Sequence, residues 1–383
     1  MAAEEDFLPQ SEKKDLVNPL DVDKENEVFL PPPPIDDYKN KTYLAPMVRV
    51  GTLPFRLLSR RYGADCCFVE ELIDRSISSC TRSENHVLNT IDFKRKDKVI
   101  FRTNREERPL IFQMGTANPV HALAAAETIS RDVCGIDINM GCPKHFSISG
   151  GMGAALLKKP ETVEDIVKTL SRNINLPISC KIRCLPEIKD TIALCRVIEK
   201  AGARAITVHG RRQEERSRQP PRYDEVKAVV DAGLSIPIIH NGDVLKYEDI
   251  EAIKNRTGAP SVMVARGAMW NASIFQPILL PRHRVMKDYV KMSIIVDNAY
   301  QNTKYVLTRM VGEDGNEEEM NKVRKCMSML SLAELVGEEN FYQDILRGRK
   351  PQNQNNVNHR SNSVRKREEE GGEERELKRA KIE

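Results

Sequence analysis

No stretch of this 383-residue chain approaches the roughly 18 consecutive apolar residues that a membrane-spanning helix needs. The first residues are acidic, with neither an apolar h-region nor the arginine-rich bias of a transit peptide, so no secretory or organellar leader is expected. Nine cysteines are present but no C-x-x-C pair: Cys66 and Cys67 are adjacent, and Cys180 and Cys184 have no second Cys/His cluster near them in sequence. That argues against a disulfide framework and a structural zinc site, and for a reducing compartment. No G-x-G-x-x-G follows the first apolar run, which disfavours an open dinucleotide-binding sheet. A strong net charge is also missing. The formal charge is +4, but residues 1–40 carry eleven acids and four bases, leaving +11 on the rest. A basic body behind an acidic leader points to an anionic partner, nucleic acid being the commonest; simple solvation competes on equal terms.

What is present has a rhythm. Short apolar or β-branched runs begin at Thr42, Cys66, Leu110, Gly135, Ile178, Ala205, Ile236 and Val262. Segments with helical spacing separate most of them: 118–133, 160–174, 188–202 and 224–233. The third and fourth end at glycine, and the second starts at proline. Alternating strands and helices imply βαβ units, and eight near-continuous apolar strands fit a closed (β/α)8 TIM barrel. The gap from Leu72 to Pro109 is longer than one helix needs and is expected to hold an extra helix or hairpin. From 281 the pattern becomes helical throughout. The expected organisation is a disordered acidic leader (1–38), a barrel (39–280), a small C-terminal helical domain (281–346) and a disordered charged tail (347–383). The compartment expected is the cytosol, with nuclear import through "KRAK" as the alternative.

Barrel chemistry sits where strands end at the C-terminal face. The strand ends here carry Met47, Glu70 with Glu71, Gln113, Asn139 followed by Cys142, Lys181 with Arg183, His209, Asn241 and Arg266. One polar side chain in such a place means little, but eight would converge on one mouth. The glycines and arginine of "HNGDV" and "VARGAM" follow strands seven and eight, where barrels often bind phosphate. Lys181 ends an otherwise apolar run, so it either forms a Schiff base or balances negative charge on a cofactor ring. Gln113 and His209 suit the second use. Arg211, Arg212 and Arg216 crowd the loop after His209, and a second basic stretch lies at 93–108, although Glu214 and Glu215 dilute the first. Cys142 is pinned between glycine and proline and is a core residue, a metal ligand or a reacting group.

The segments "YLAPMVRVGTLPFR", "FQMG", "GIDINMGCPKHFSISGGMGAALL", "CKIR", "VHGRRQEER" and "SVMVARGAMW" resemble the tRNA-dihydrouridine synthases, most of all the eukaryotic branch acting on D-loop uridine 20. The likeness runs from about Lys41 to Met310. It implies a flavin mononucleotide (FMN) barrel reduced by NADPH, with a tRNA-binding helical domain; separately, a monomer without structural metal is expected. Pro46, Met47 and Val48 would line the flavin, Gln113 and Lys181 would contact its ring, and His209 would lie beside it. Asn241, Gly242 and Asp243, with Ala265 and Arg266, would hold its phosphate end. Cys142 would be the catalytic acid that protonates uracil C5, Asn139 would orient the base, and Arg211, Arg212 and Arg216 would touch tRNA. Animal members of the branch commonly carry a double-stranded RNA-binding domain after the helices, where this sequence reads as a polar tail. A lysine-dependent barrel lyase and a non-catalytic tRNA-binding protein are the alternatives.

Overall fold

The computed structural model describes residues 31–312 and 317–349. The expected leader up to residue 30, and the expected tail from residue 350, lie outside the described residues. Twelve strands occur in this part of the chain: β1 (Thr42–Leu44), β2 (Cys66–Phe68), β3 (Leu72–Ile73), β4 (Thr81–Asn85), β5 (Thr90–Arg95), β6 (Lys98–Thr103), β7 (Leu110–Gly115), β8 (Gly135–Asn139), β9 (Ile178–Arg183), β10 (Ala205–His209), β11 (Ile238–Asn241) and β12 (Ser261–Val264). Eight of them pair in parallel in the order β1-β2-β7-β8-β9-β10-β11-β12, and β12 returns to β1 through Thr42 opposite Val262. The sheet is therefore a closed (β/α)8 barrel, and all eight expected strands are in it. The long gap after Leu72 holds β3, a helix at Asp74–Ser78 and a three-stranded antiparallel sheet, β4-β5-β6.

The outer helices form for readable reasons. Helix Pro160–Asn173 starts on a proline whose fixed φ suits the first turn. It buries Val163, Ile166, Val167 and Leu170, one stripe at helical spacing, each stabilising by roughly 1.5–3 kcal/mol. Helix Pro119–Ile129 is capped by Asn118, whose Oδ1 accepts from Val120 N and His121 N at 2.9 and 3.1 Å. Beyond the barrel come helices Arg282–Ile295, Tyr300–Val311, Glu317–Lys325, Met329–Leu335 and Glu339–Gly348. The first packs on barrel helix Leu53–Arg61: the Phe55 and Tyr289 rings meet edge-on at 6.1 Å, and Tyr62 Oη donates to Asp288 at 2.7 Å. No helix among the described residues is long and apolar enough to cross a membrane.

The two ends of the barrel differ. Residues 31–38, assigned to the leader by composition, pack beneath it. Ile35 N donates to Cys134 O at 2.8 Å, and Ile35 and Tyr38 are buried with Tyr43, Cys66, Phe68, Ile111, Cys134 and Ile239 in one apolar cluster. Tyr43 Oη and Ser261 Oγ both donate to Tyr38 O, at 3.0 and 2.8 Å, tying the segment to the floor. Strand side chains alternate between faces, so Ile178, Cys180 and Ile182 face one side of β9 while Ser179, Lys181 and Arg183 face the other. On the inward face, polarity rises toward the strands' C-terminal ends.

Candidate active site

Cys142 sits three residues past β8, on a loop fixed from every side. Asn139 Oδ1 accepts from Gly141 N at 2.9 Å and from Cys142 N at 3.0 Å. Arg183 Nε donates to Gly141 O at 2.7 Å, and Ala154 N donates to Cys142 O at 3.0 Å. Gly153 closes the loop at φ +57°, where a Cβ would lie 2.6 Å from Cys142 O, so this position admits only glycine without a shift. Cys142 is partly exposed, unlike most of the chain's other cysteines. Burial, followed by the negative charge of Glu71, pushes its pKa up, while a hydrogen bond to Ser147 pulls the other way. A thiol so placed is protonated at neutral pH and able to donate. Among the described residues no cluster of His, Cys, Asp or Glu is placed to hold a metal ion.

A polar chain runs back from this loop into the barrel. Asn139 Nδ2 donates to Gln113 Oε1 at 3.3 Å, and Gln113 Nε2 donates to Asp137 Oδ2 at 2.8 Å. Ser179 Oγ donates to Asp137 Oδ1 at 2.7 Å. Burial holds the Asp137 carboxyl up at about 6 against those two hydrogen bonds. Asp137 thus decides which end of Gln113 faces Asn139. The sequence reading missed it; the available signal was an acid in the middle of an apolar strand.

Across the mouth, Lys181 Nζ donates to Asn241 Oδ1 at 2.8 Å, and Asn241 Nδ2 donates to Met263 O at 2.9 Å. Burial, then the nearby Arg183 guanidinium, pushes the Lys181 amine down to about 7. An anion bound beside it would be held by restoring that proton. Burial and Lys181 together keep His209 well below the usual imidazole range, so it is neutral; its Nε2 lies 3.4 Å from an Arg211 nitrogen and accepts from it.

A cavity of about 330 Å³ opens here, lined among others by His209, Asn241, Gly242, Asp243, Ala265 and Arg266. Gly242 (φ +148°) and Asp243 (φ +44°) turn the chain sharply after β11. The Asp243 carboxylate bridges two cations: Oδ2 accepts from Arg211 at 2.5 Å and Oδ1 accepts from Arg266. Any phosphate contact by Asp243 would have to come from its main chain, with the guanidiniums supplying the charge. Pro46 and Met47 are partly exposed at the end of β1, with Val48 exposed beside them.

The arginines divide. Arg211 is not on the exposed rim: it is 2% exposed, and its Nε donates to Gln219 O at 2.6 Å. The charge-rich loop disguised it, because a buried ion pair looks like a solvated one in sequence. Arg212 is half-buried and pairs with Glu225 at 3.2 Å; Arg216 is exposed and braces the carbonyls of Gln213, Glu214 and Glu215. In the second basic stretch, Arg102 is structural, bound to Asp92 at 2.6 Å and to Val296 O at 2.5 Å.

Fold and site together define a (β/α)8 barrel whose strand ends carry a loop-borne cysteine near a cavity lined by His209, Asn241, Asp243 and Arg266. Residues 43–366 match the family described as dihydrouridine synthase (Dus), and the chain belongs to that family. It is 41% identical over 290 residues to the tRNA-dihydrouridine(20) synthase [NAD(P)+] of Schizosaccharomyces pombe, across 72% of this chain and 60% of that protein. It is 36% identical to the Saccharomyces cerevisiae protein of the same name, across 72% of this chain and 78% of that one. It is 35% identical to the human tRNA-dihydrouridine(20a/20b) synthase [NAD(P)+]-like protein, across 70% and 81%. The chain thus spans about three fifths of the fission-yeast relative's length.

Proposed function

We propose that this protein is an FMN-dependent tRNA-dihydrouridine synthase that reduces a D-loop uridine, at position 20, with NADPH as reductant. The observation that carries the reading is the Cys142 loop, held by Asn139, Arg183 and Ala154 directly before Pro143 and Lys144, which line the cavity. The donor set fits a flavin mononucleotide. Lys181 and Gln113 would face the polar edge of the ring, with His209 beside it as a neutral hydrogen-bonding group. Arg266 and the turn at Gly242–Asp243 would take the phosphate, and Pro46, Met47 and Val48 would cover the remaining side. When bound and reduced, that group supplies the hydride for uracil C6. Cys142 then gives its proton to C5, and the locked loop fixes the direction of delivery. Misplacement by about 1 Å costs such a step on the order of a hundredfold.

The base must leave its stack to reach the thiol. Asn139 has one amide hydrogen left to offer a uracil carbonyl after its bond to Gln113. Arg212 and Arg216 would meet the phosphate backbone at one rim. On the other, the exposed Arg49 and Arg309 flank the Tyr305 ring at 3.9 and 5.0 Å, joining the barrel to the first C-terminal helices in one basic surface. We place the enzyme in the cytosol, on the sequence pattern alone.

The test is a visible absorption spectrum of the purified protein, with mass spectrometry of the released cofactor. It is followed by NADPH oxidation that depends on unmodified tRNA. A colourless protein, or a flavoprotein giving no two-hydrogen mass gain in the D-loop fragment, would overturn the reading. Borohydride with the lyase-type substrate classes should leave Lys181 unlabelled.

A further inference from the structure

A histidine packed directly behind the cavity has no part in the function proposed above. His240, on β11, is fully buried, next to the Asn241 that bonds Lys181. Strand alternation turns it the other way from Asn241, onto Tyr223 at the start of helix Tyr223–Asp231. The two rings stack with centroids 5.4 Å apart and planes 9° apart, and Arg256 lies over the same tyrosine at 4.2 Å. His240 Nε2 is 3.2 Å from Gly242 O. A carbonyl can only accept, so Nε2 carries the hydrogen and Nδ1 is bare. Nδ1 is buried without a hydrogen-bond partner among the described residues, and burial pushes the imidazole down to about 4, which keeps the ring neutral. An orphaned ring nitrogen is a cost that an apolar side chain here would avoid. What the histidine supplies in return is a flat stacking face and the Nε2–H.

Both act on the Gly242–Asp243 turn, where φ is +148° and then +44°. A Cβ on Gly242 would come within 2.9 Å of Pro221 Cβ and 3.4 Å of His240 Nε2, so the turn is gripped closely. Gly242, Asp243 and Val244 all line the cavity. Their main-chain N–H groups donate to no group among the described residues. The Asp243 carboxylate, by contrast, is spent on Arg211 and Arg266. An anion here would therefore meet three successive unspent amides beside a guanidinium, and such a run binds well only when its backbone is held in the right curve.

Resting on the function proposed above, we propose that His240 is a positioning residue that holds the Gly242–Asp243 turn ready for a phosphate monoester, and so sets the preference for FMN over the same flavin without its phosphate. The coupling runs through one peptide unit. Gly242 C=O and Asp243 N–H lie in the same plane and point in opposite directions. A carbonyl held on His240 sends the amide hydrogen away from the outer helices. Tyr223 fixes the tilt of the imidazole, and with it the direction of Nε2.

Retention of flavin, not turnover, is the readout. The full-length protein as purified is equilibrated with equal concentrations of FMN and riboflavin, and the bound fraction of each is measured by chromatography after ultrafiltration. His240→Leu keeps the bulk and removes the donor; the bound FMN-to-riboflavin ratio should fall about tenfold, with riboflavin binding unchanged. His240→Gln, whose amide N–H reaches about as far as Nε2, should recover most of the ratio. Tyr223→Leu should lower it less, by about threefold. An unchanged ratio in His240→Leu would overturn the proposal, and so would an equal loss of both flavins, which would reduce the ring to packing. Should His240→Leu not fold, an unchanged ratio in Tyr223→Leu overturns it instead. A protein that holds neither flavin is a different result and ends the function proposed above. The seat is then read with inorganic phosphate by phosphorus NMR: line broadening in the wild type that His240→Leu removes supports the proposal, and equal broadening in both sinks it.

Discussion

Thiols at opposite ends of one barrel differ in the features that the proposed role of Cys142 requires. At the floor, Cys66 and Cys134 are buried, and burial pushes both thiols up. At the mouth, Cys142 moves in the same direction. Proton affinity alone therefore does not separate them. Access does, together with the neighbours. Cys66 packs among Tyr38, Tyr43 and Phe68, where it can only fill space. Cys142 is partly exposed and hung on Asn139, Arg183 and Ala154. The same chemistry is inert below and poised above.

The sharpest way to break this contrast is Cys142→Ala, which should retain bound flavin and its reduction by NADPH but lose turnover on tRNA by about 10²- to 10⁴-fold. Stopped-flow absorbance and D-loop mass analysis separate the two halves, and full turnover would remove the assignment. Next in size, Gly153→Ala should leave the thiol present and misaimed, lowering kcat on the order of a hundredfold, because a Cβ there meets Cys142 O at 2.6 Å. At the floor the expectations invert. Ile35→Ala should cost about 2–4 kcal/mol in denaturant unfolding while kcat stays at the wild-type value. A large kcat effect would mean the floor is coupled to the mouth. The smallest effect concerns pH. With its amine near 7 in the folded protein and about 10.4 in the unfolded chain, Lys181 leaves the unfolded chain holding more protons between those values. Wild-type stability relative to Lys181→Met should therefore rise as pH goes from about 7 to about 10, the penalty being greatest below 7. Flavin retention should weaken over the same rise, as the ammonium is lost.

The eight strands were legible because a parallel sheet covered on both faces leaves unbroken apolar runs, and turn residues mark their ends. The long gap after Leu72 announced an insertion but not its β4-β5-β6 sheet, whose strands alternate too weakly to stand out among charges. Cys142, Lys181, His209 and Asn241 were found as polar residues where apolar runs stop. Asp137 escaped because its meaning lies across the sheet, in Gln113 and Ser179, at sequence separations no local pattern records. Arg211 looked like solvated charge because its carboxylate partner is 32 residues away. Residues 31–38 looked like part of a disordered leader because a composition dominated by Pro and Asp hides two anchors, Ile35 and Tyr38.

The strap formed by those residues has a further consequence. Tied to the barrel through Cys134, Tyr43 and Ser261, it covers the end of the barrel away from the thiol. Under the proposed function, electron donor and RNA would both work at the thiol end, taking turns there. Initial-rate plots at several fixed tRNA concentrations should accordingly give parallel rather than intersecting lines.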